Sequence, residues 1–232
     1  MKTLGLIGGI SWESTAHYYQ RINQLVAQHL GGLHSAKLLM YSVDFDEIQH
    51  LQHKDDWAAC GRIFVDIAKR LEQGGAEGLV ICANTMHLLA EEIGEAVSIP
   101  ILHVAEAVAE AALDADVDSI ALLGTRFTME KDFYRRGLEA HGLRVLVPDE
   151  AERMELHRII YEELCRGVVD PDSKRAFYDI VDRLAKAGAK SVALACTEFT
   201  LFADQSRSPV PLLDTTELHA RMAVDWMLGA EA

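Results

Sequence analysis

The residues best suited to chemistry follow the apolar run KSVALAC, whose last residue is Cys196, with Thr197 and Glu198 directly after it. Such a run is typical of a buried strand, and the polar residues after it indicate the start of a helix. The positive end of a helix dipole stabilises a thiolate. We therefore predict a lowered pKa for Cys196 and a role as base or nucleophile, the alternative being a small buried hydrophobe. Glu198 could accept a proton, bind an ammonium group or complete a helix cap.

A second apolar run, GLVIC, ends in the same way and is followed by Ala83, Asn84 and Thr85. The amide of Asn84 and the hydroxyl of Thr85 are donors suited to a carboxylate, although both residues are also common in turns. Cys82 comes one position before Ala83. Because successive side chains of a strand point to opposite faces, Cys82 points into the packed core if residue 83 faces a ligand.

The glycines of GLIGGIS lie between a predicted strand and a predicted helix. They do not fit the G-x-G-x-x-G pattern, and the acidic residue expected about 20 positions later is missing, so a nicotinamide cofactor has little support. We predict a tight turn whose backbone N–H groups, around Ile10, Ser11 and Trp12, bind a small anion such as a carboxylate. The alternative is that the glycines serve only to make the turn.

The elements that position these residues alternate along the chain in the manner of βα units with a mainly parallel sheet. Apolar runs predict strands at 2–9, 36–44, 77–82, 99–104, 118–125, 143–148 and 190–196. Helical periodicity predicts helices near 13–29, 54–74, 86–95, 130–141, 151–166, 172–187 and 216–228.

The two halves of the chain show a weak internal repeat, in which LIGG matches LLGT and ICANTMH matches LACTEFT. Chance similarity between short strands is the alternative to duplication. The predicted fold is α/β, with two similar parallel-sheet domains related by a pseudo-twofold and a ligand in the cleft between them, since ligands of parallel sheets bind beyond the carboxyl ends of strands. The first domain is predicted to comprise 1–104 with 211–232, and the second 105–210.

Composition narrows the possible partners and the compartment. The formal charge of −14 argues against nucleic acid as a partner. No apolar run reaches the roughly 18 residues of a membrane helix, and no secretion leader is evident. Four widely spaced cysteines without a C-x-x-C pattern predict reduced thiols, no zinc site and a cytoplasmic protein.

Motifs over nearly the whole chain carry a resemblance to a known family. In order, these are MKTLGLIGGISWEST, GGLHSAKLLMYSVDF, ANTMH, LLGTRFTMEKDFY, IIYEEL and ACTEF. They resemble the aspartate/glutamate racemase family, close to its bacterial L-aspartate/glutamate-specific or broad-specificity members. The resemblance implies a homodimeric, cofactor-independent racemase with aspartate or glutamate as substrate and no pyridoxal phosphate. One group removes the Cα proton and another returns a proton on the opposite face.

The same resemblance assigns roles to individual residues of this sequence. Cys196 matches the second catalytic cysteine of the family, and Ala83 stands where the first acid/base residue is usually Cys or Thr. The substrate-binding positions that match are Ile10, Gln52, Asn84, Thr85, Thr197 and Glu198. No basic residue is assigned to the substrate side-chain carboxylate, for which Arg126, Lys131 and Arg166 are candidates.

Ala83 departs from the family pattern, because a methyl group can neither take nor give a proton. Three alternatives remain open. The chain is a racemase in which water or Thr85 serves the second face of the substrate, a disabled protein that only binds an amino acid, or an enzyme whose reaction needs one thiol. Arylmalonate decarboxylases, which resemble this fold and keep only the second cysteine, are a precedent for the last. The surrounding motifs follow the amino-acid racemases.

Overall fold

A computed structural model describes residues 1–229, and its internal contacts divide the chain into two compact units. The first unit is Met1–His103 together with the C-terminal segment that starts at His219, and the second is Val104–Leu218. Compared with the predicted domains, Val104 and residues 211–218 group with the second unit. Residues 230–232 of the predicted first domain lie outside the described residues.

The elements follow one another as alternating strands and helices. The strands are β1 Leu4–Gly8, β2 Leu38–Ser42, β3 Gly78–Ile81, β4 Ser119–Gly124, β5 Arg144–Leu146, β6 Ser191–Ala195 and β7 Leu212–Asp214. The α-helices are α1 Trp12–Leu30, α2 Phe45–His53, α3 Trp57–Gln73, α4 Ala90–Ala96, α5 Val104–Asp114, α6 Arg126–Glu130, α7 Asp132–Glu139, α8 Glu150–Arg158, α9 Pro171–Lys186 and α10 Thr215–Leu228. Short 3₁₀-helices span Thr85–Leu89, Leu164–Arg166, Thr197–Leu201 and Gln205–Arg207, and a π-helical turn spans Ile159–Glu163.

Each unit contains one sheet, and all strand pairs are parallel. The strand order is β2-β1-β3 in the first unit and β5-β4-β6-β7 in the second, so the first strand of each half lies between the second and the third. The predicted α/β fold with two similar parallel sheets is therefore confirmed. The matched motifs LIGG and LLGT contain the ends of the two central strands, β1 and β4.

Strand alternation sends neighbouring side chains of the first sheet to different hydrophobic clusters. Leu6, Val80 and Cys82 pack with α1 and the last part of α10. Ile7 and Ile81 pack with α3 on the other face, and Ala83 borders that second cluster. The prediction that Cys82 is a core residue on the face opposite to residue 83 is confirmed, because Cys82 is fully buried.

The second sheet repeats this arrangement around Cys196. Leu123, Leu194 and Cys196 lie in a cluster with α8 and α9, whereas Ile120 and Ala193 pack with α5 and α7 on the opposite face. Cys196 and Ala83 therefore occupy corresponding positions, one just after β6 and the other two residues after the end of β3.

Side-chain caps explain where several of these helices begin. Ser11 caps α1 by accepting from the N–H of Ser14. Asp149 and Glu152 form a capping box at the start of α8, and Asp170 caps α9 just before Pro171. Each such cap contributes about 1 kcal/mol to the stability of its helix.

The main differences between the observed elements and the sequence predictions are as follows. The predicted strand at 99–104 is wrong, because only Ile101 forms a bridge, to Leu79, and α5 begins at Val104. The helix predicted at 54–74 is preceded by a separate helix, α2, that was not predicted. No helix was predicted for residues 104–114, which form α5, and the alanines of this helix allow close packing on the sheet. The unpredicted strand β7 pairs with β6, which places residues 211–218 in the second unit.

Candidate active site

The site residues of the second unit lie just after β6. Cys196 is 8% exposed, and its Sγ–H donates to Oε2 of Glu198 over 2.9 Å. The hydroxyl of Thr197 donates to the same carboxylate oxygen over 2.8 Å. The structure thus brings all three predicted residues of this unit together and gives the thiol proton an immediate acceptor.

The predicted lowering of the Cys196 pKa is wrong for this state of the protein. Burial raises the pKa of the Cys196 thiol well above its ordinary value, and the negative charge of Glu198 and the nearby Cys165 raise it further. The helix that follows is a 3₁₀-helix of only five residues, Thr197–Leu201, whose dipole is small beside these opposing effects. The free protein therefore holds Cys196 as a thiol.

In the first unit, the segment after β3 forms the 3₁₀-helix Thr85–Leu89. Asn84 and Thr85 are both buried, whereas Ala83 is partly exposed. Gln52, from α2, is 3% exposed and donates through Nε2 to Sδ of Met86 over 3.0 Å. Its Oε1 is buried and has no hydrogen-bond partner within residues 1–229. The predicted substrate contact at Gln52 therefore lies beside the Ala83–Met86 segment with an acceptor atom available.

The glycine turn between β1 and α1 lies at the same end of this sheet. A side chain at Gly8 would collide with Thr15, and one at Gly9, whose φ is +94°, would collide with the backbone of Val43. The N–H of Gly9 donates to the hydroxyl of Thr15 over 2.8 Å. Close packing thus accounts for both glycines. The side chain of Ile10 packs in the cluster that contains Met86 and that Ala83 borders.

Three histidines pack together, with His87 in the middle and next to Ala83. The ring of His87 lies 4.7 Å from that of His103 and 5.3 Å from that of His219, between centroids. Nδ1 of His87 lies 3.0 Å from the carbonyl oxygen of Ala83, and Nδ1 of His219 lies 3.0 Å from the hydroxyl of Tyr18. Packing and hydrogen bonding thus account for the position of His87.

Burial keeps these histidines neutral. It lowers the pKa of His103 and of His219 to about 4 in each case, and it lowers the pKa of His87, with His103 and His219 adding to that effect. His103 is the last residue of the first segment of the first unit, and His219 is the first residue of the second segment of that unit.

The free energy of unfolding is expected to fall as the pH drops from about 6.5 to about 4. The unfolded chain binds protons at these histidines in that range and the native chain does not, so the stability present above about pH 6.5 is lost on acidification. His219, which is fully buried, contributes on the order of 3 kcal/mol to the loss. Urea unfolding at about pH 7 and about pH 5 measures the difference.

The substitution His219→Gln should reduce this pH difference, whereas His17→Gln, at an exposed position on α1, should leave it unchanged. A difference that survives His219→Gln in full would show that protonation of this histidine does not control acid stability.

The three basic candidates for a substrate side-chain carboxylate differ in their surroundings. Arg126 lies at the start of α6 and pairs with Glu130 at 3.7 Å. Lys131 is partly buried between α6 and α7, and Arg166 is exposed at the end of its 3₁₀-helix. None of these positions singles out one residue as the carboxylate ligand.

The sequence assigned no role to Tyr161 and Cys165, which lie near Cys196, or to His157, which lies beside Tyr161. Tyr161 packs against the cluster that contains Cys196, and its ring centroid lies 4.6 Å from that of His157. Cys165 is exposed on a 3₁₀-helix that contacts Thr197–Leu201. Tyr161 lies in the family motif IIYEEL, which was a signal for this residue, but the spacing of this motif does not show that the helix widens there.

Two kinds of site were sought within residues 1–229, a group of metal ligands and a helix that spans a membrane. In this range, no group of three or more His, Cys, Asp and Glu side chains is arranged to hold a metal ion. Over the same residues, no helix has the length and apolar character needed to cross a membrane.

Comparison with known proteins identifies the relatives of this chain. Residues 7–223 match the family model described as Asp/Glu/Hydantoin racemase. A protein from Yersinia pestis described as a candidate Asp/Glu racemase is 47% identical, with a TM-score of 0.93 over 98% of this chain and 100% of that chain. An aspartate racemase homologue from Pyrococcus horikoshii is 35% identical, with a TM-score of 0.85 over 98% and 100% of the two chains.

A curated relative, the broad-specificity amino-acid racemase RacX of Bacillus subtilis, is 20% identical over 99% of this chain and 100% of its own length. The family match covers both units and includes Ala83, Asn84, Cys196 and Glu198. The chain belongs to the Asp/Glu/hydantoin racemase family.

Proposed function

We propose that the chain is an amino-acid racemase, an isomerase that acts on aspartate and glutamate without pyridoxal phosphate or another cofactor. The observation that carries this proposal is the Cys196 thiol hydrogen-bonded to Glu198 just after β6, in a chain of this family. Thiols suit Cα chemistry because they exchange a proton at a pH close to neutral.

The arrangement suggests how Cys196 changes protonation state. Glu198 accepts the Sγ–H hydrogen bond, so it can take the proton when substrate binding alters the charge around the pair. The thiolate then removes the Cα proton and becomes a thiol again, leaving a carbanion whose charge spreads into the substrate carboxylate. Hydrogen-bond donors at that carboxylate stabilise the charge that develops.

The proposal assigns a substrate contact to each predicted binding residue. Asn84, Thr85 and the backbone at Ile10 donate to the α-carboxylate, and the buried Oε1 of Gln52 accepts from the ammonium group. Thr197 completes the set, because its hydroxyl fixes the orientation of the Glu198 carboxylate.

Ala83 limits what this site can do. Residue 83 lies where the opposite face of Cα needs an acid/base group, and its methyl group supplies none. We therefore propose slow racemisation, with water or Thr85 serving that face. Because residue 83 carries no thiol, two alternatives to racemisation are a decarboxylase that uses one thiol and an amino-acid-binding protein without turnover.

The proposal also includes a homodimer in the cytoplasm. The support is the family resemblance together with four cysteines that are all free thiols. Light scattering on the purified protein tests the oligomeric state.

Aspartate and glutamate are expected to protect Cys196 from alkylation, because the proposed substrate lies against the thiol. The measurement is the rate at which iodoacetamide labels Cys196 in the presence of each enantiomer of aspartate or glutamate. Mass spectrometry of the peptide that contains Cys196 gives the labelled fraction. L-Lysine is the control, since its side chain has the opposite charge. Equal labelling with and without the acidic amino acids would separate Cys196 from the substrate and contradict the proposal.

A further inference from the structure

Helix α8 does not continue regularly toward the site but widens into the π-helical turn Ile159–Glu163. The N–H of Leu164 bonds to the carbonyl of Ile159, five residues earlier, as well as to that of Ile160. Single π turns inside α-helices occur frequently at functional sites. This turn carries Tyr161 at its centre.

A side-chain network spans the widened turn. Nη1 of Arg158 lies 2.6 Å from Oε1 of Glu163, and the hydroxyl of Ser173 on α9 donates to the same oxygen over 2.9 Å. Residues five apart do not face each other on a regular α-helix, where neighbours are three or four apart. The Arg158–Glu163 pair therefore fits the π turn specifically, and the 14% exposure of the Glu163 side chain limits screening by solvent.

The π turn determines where the side chain of Tyr161 lies. Its ring packs against the cluster that contains Cys196 and lies beside His157, whose Nδ1 accepts from the N–H of Arg126 over 3.3 Å. Burial raises the pKa of the Tyr161 phenol, and the nearby Cys196, Cys165 and Glu198 raise it further. Tyr161 thus lies close to both the thiol and its carboxylate partner.

We propose that Tyr161 is a positioning residue for Cys196, held by the π turn and its Arg158–Glu163–Ser173 network, and that its ring keeps water from the thiol. Burial by this ring maintains the Cys196–Glu198 hydrogen bond in a medium of low polarity, where the bond is stronger than in water. The inference rests on the proposed function only for the role of Cys196 as the reacting thiol.

The test is the pH dependence of Cys196 alkylation, which requires no substrate and no turnover. The proteins compared carry Cys165→Ser, so that the exposed neighbouring thiol does not react. Tyr161→Ala should admit water and move the midpoint of the labelling curve to lower pH by about one unit. Tyr161→Phe retains the ring and should keep the midpoint.

A matched pair of substitutions tests the π turn itself. Glu163→Gln weakens the charge-assisted bond to Arg158 and should move the midpoint in the same direction by a smaller amount. Glu162→Gln makes the same change at a carboxylate 4.0 Å from the same guanidinium, but this carboxylate is 64% exposed and solvent screens the pair, so the midpoint should stay unchanged.

Two results would overturn the inference. An unchanged midpoint in Tyr161→Ala removes the role of the ring, and equal shifts in Glu163→Gln and Glu162→Gln remove the role of the turn. Circular dichroism confirms that each variant is folded. A protein that shows these shifts but exchanges no Cα hydrogen would lose the proposed function and keep the positioning role.

Discussion

Ala83→Cys is expected to raise the rate of racemisation of aspartate or glutamate by about 10²- to 10⁴-fold, the usual contribution of a positioned acid/base group. The side chain of residue 83 borders the cluster on the Ile81 face of its sheet, as Cys196 lies on the Leu194 face of the other sheet. A thiol at position 83 would therefore supply the second proton carrier that the methyl group cannot. The measurement is the initial rate of enantiomer interconversion by chiral chromatography.

Two control variants separate chemistry from packing. Ala83→Val adds bulk without an ionisable group and should not raise the rate. Cys82→Ala removes the neighbouring thiol, which is fully buried on the opposite face, and should leave the rate of Ala83→Cys unchanged when the two are combined. If Ala83→Cys is no faster than Ala83→Val, position 83 does not face the substrate.

Cys196→Ser is expected to lower Cα hydrogen exchange by about 10²- to 10⁴-fold. The serine hydroxyl can still donate to Glu198, so the local hydrogen bonding is retained. A hydroxyl does not ionise near neutral pH, however, and cannot take the Cα proton as a thiolate does. The measurement is the exchange rate at saturating amino acid.

Cys165→Ser is the matched control, since it changes an exposed thiol close to the same site. Its exchange rate should stay within about threefold of the parent, which is small beside the effect of losing an acid/base group. Loss of exchange in Cys165→Ser together with its retention in Cys196→Ser would reverse the assignment of the reacting thiol.

Strand periodicity predicted the parts of the fold that depend on local pattern. The apolar runs ending near Gly8, Ile81, Gly124 and Ala195 form β1, β3, β4 and β6, because continuous apolar segments bounded by turn residues suit a sheet covered on both faces. The same alternation correctly separated Cys82 from residue 83. It depends only on the twofold repeat of strand side chains.

Features that depend on tertiary contacts could not be predicted in this way. β7 is only three residues long, and its pairing with β6 determines that residues 211–218 belong to the second unit. Helix α5 is built largely from alanine and acidic residues, so its apolar face is weak in sequence, although Val104, Val108 and Ala112 are buried.

The pKa of the Cys196 thiol also depends on tertiary contacts and could not be predicted from local sequence. The motif correctly placed Cys196 beside Glu198, but local sequence favoured a helix dipole that lowers the pKa. Burial by distant segments and the charge of Glu198 raise that pKa in the folded chain. The position of Tyr161 depends on a π turn, whose extra residue leaves no simple pattern in the sequence.

The central claim is that Cys196 exchanges the Cα proton of an acidic amino acid. Proton NMR in D₂O of L- and D-aspartate and of L- and D-glutamate, with the unmodified protein, tests this most directly when Cα–H loss and chirality are followed together. The account predicts loss of the Cα–H signal from at least one of these amino acids, faster than its inversion, because Ala83 leaves one face without a proton carrier. No loss of that signal from any of the four would contradict the account.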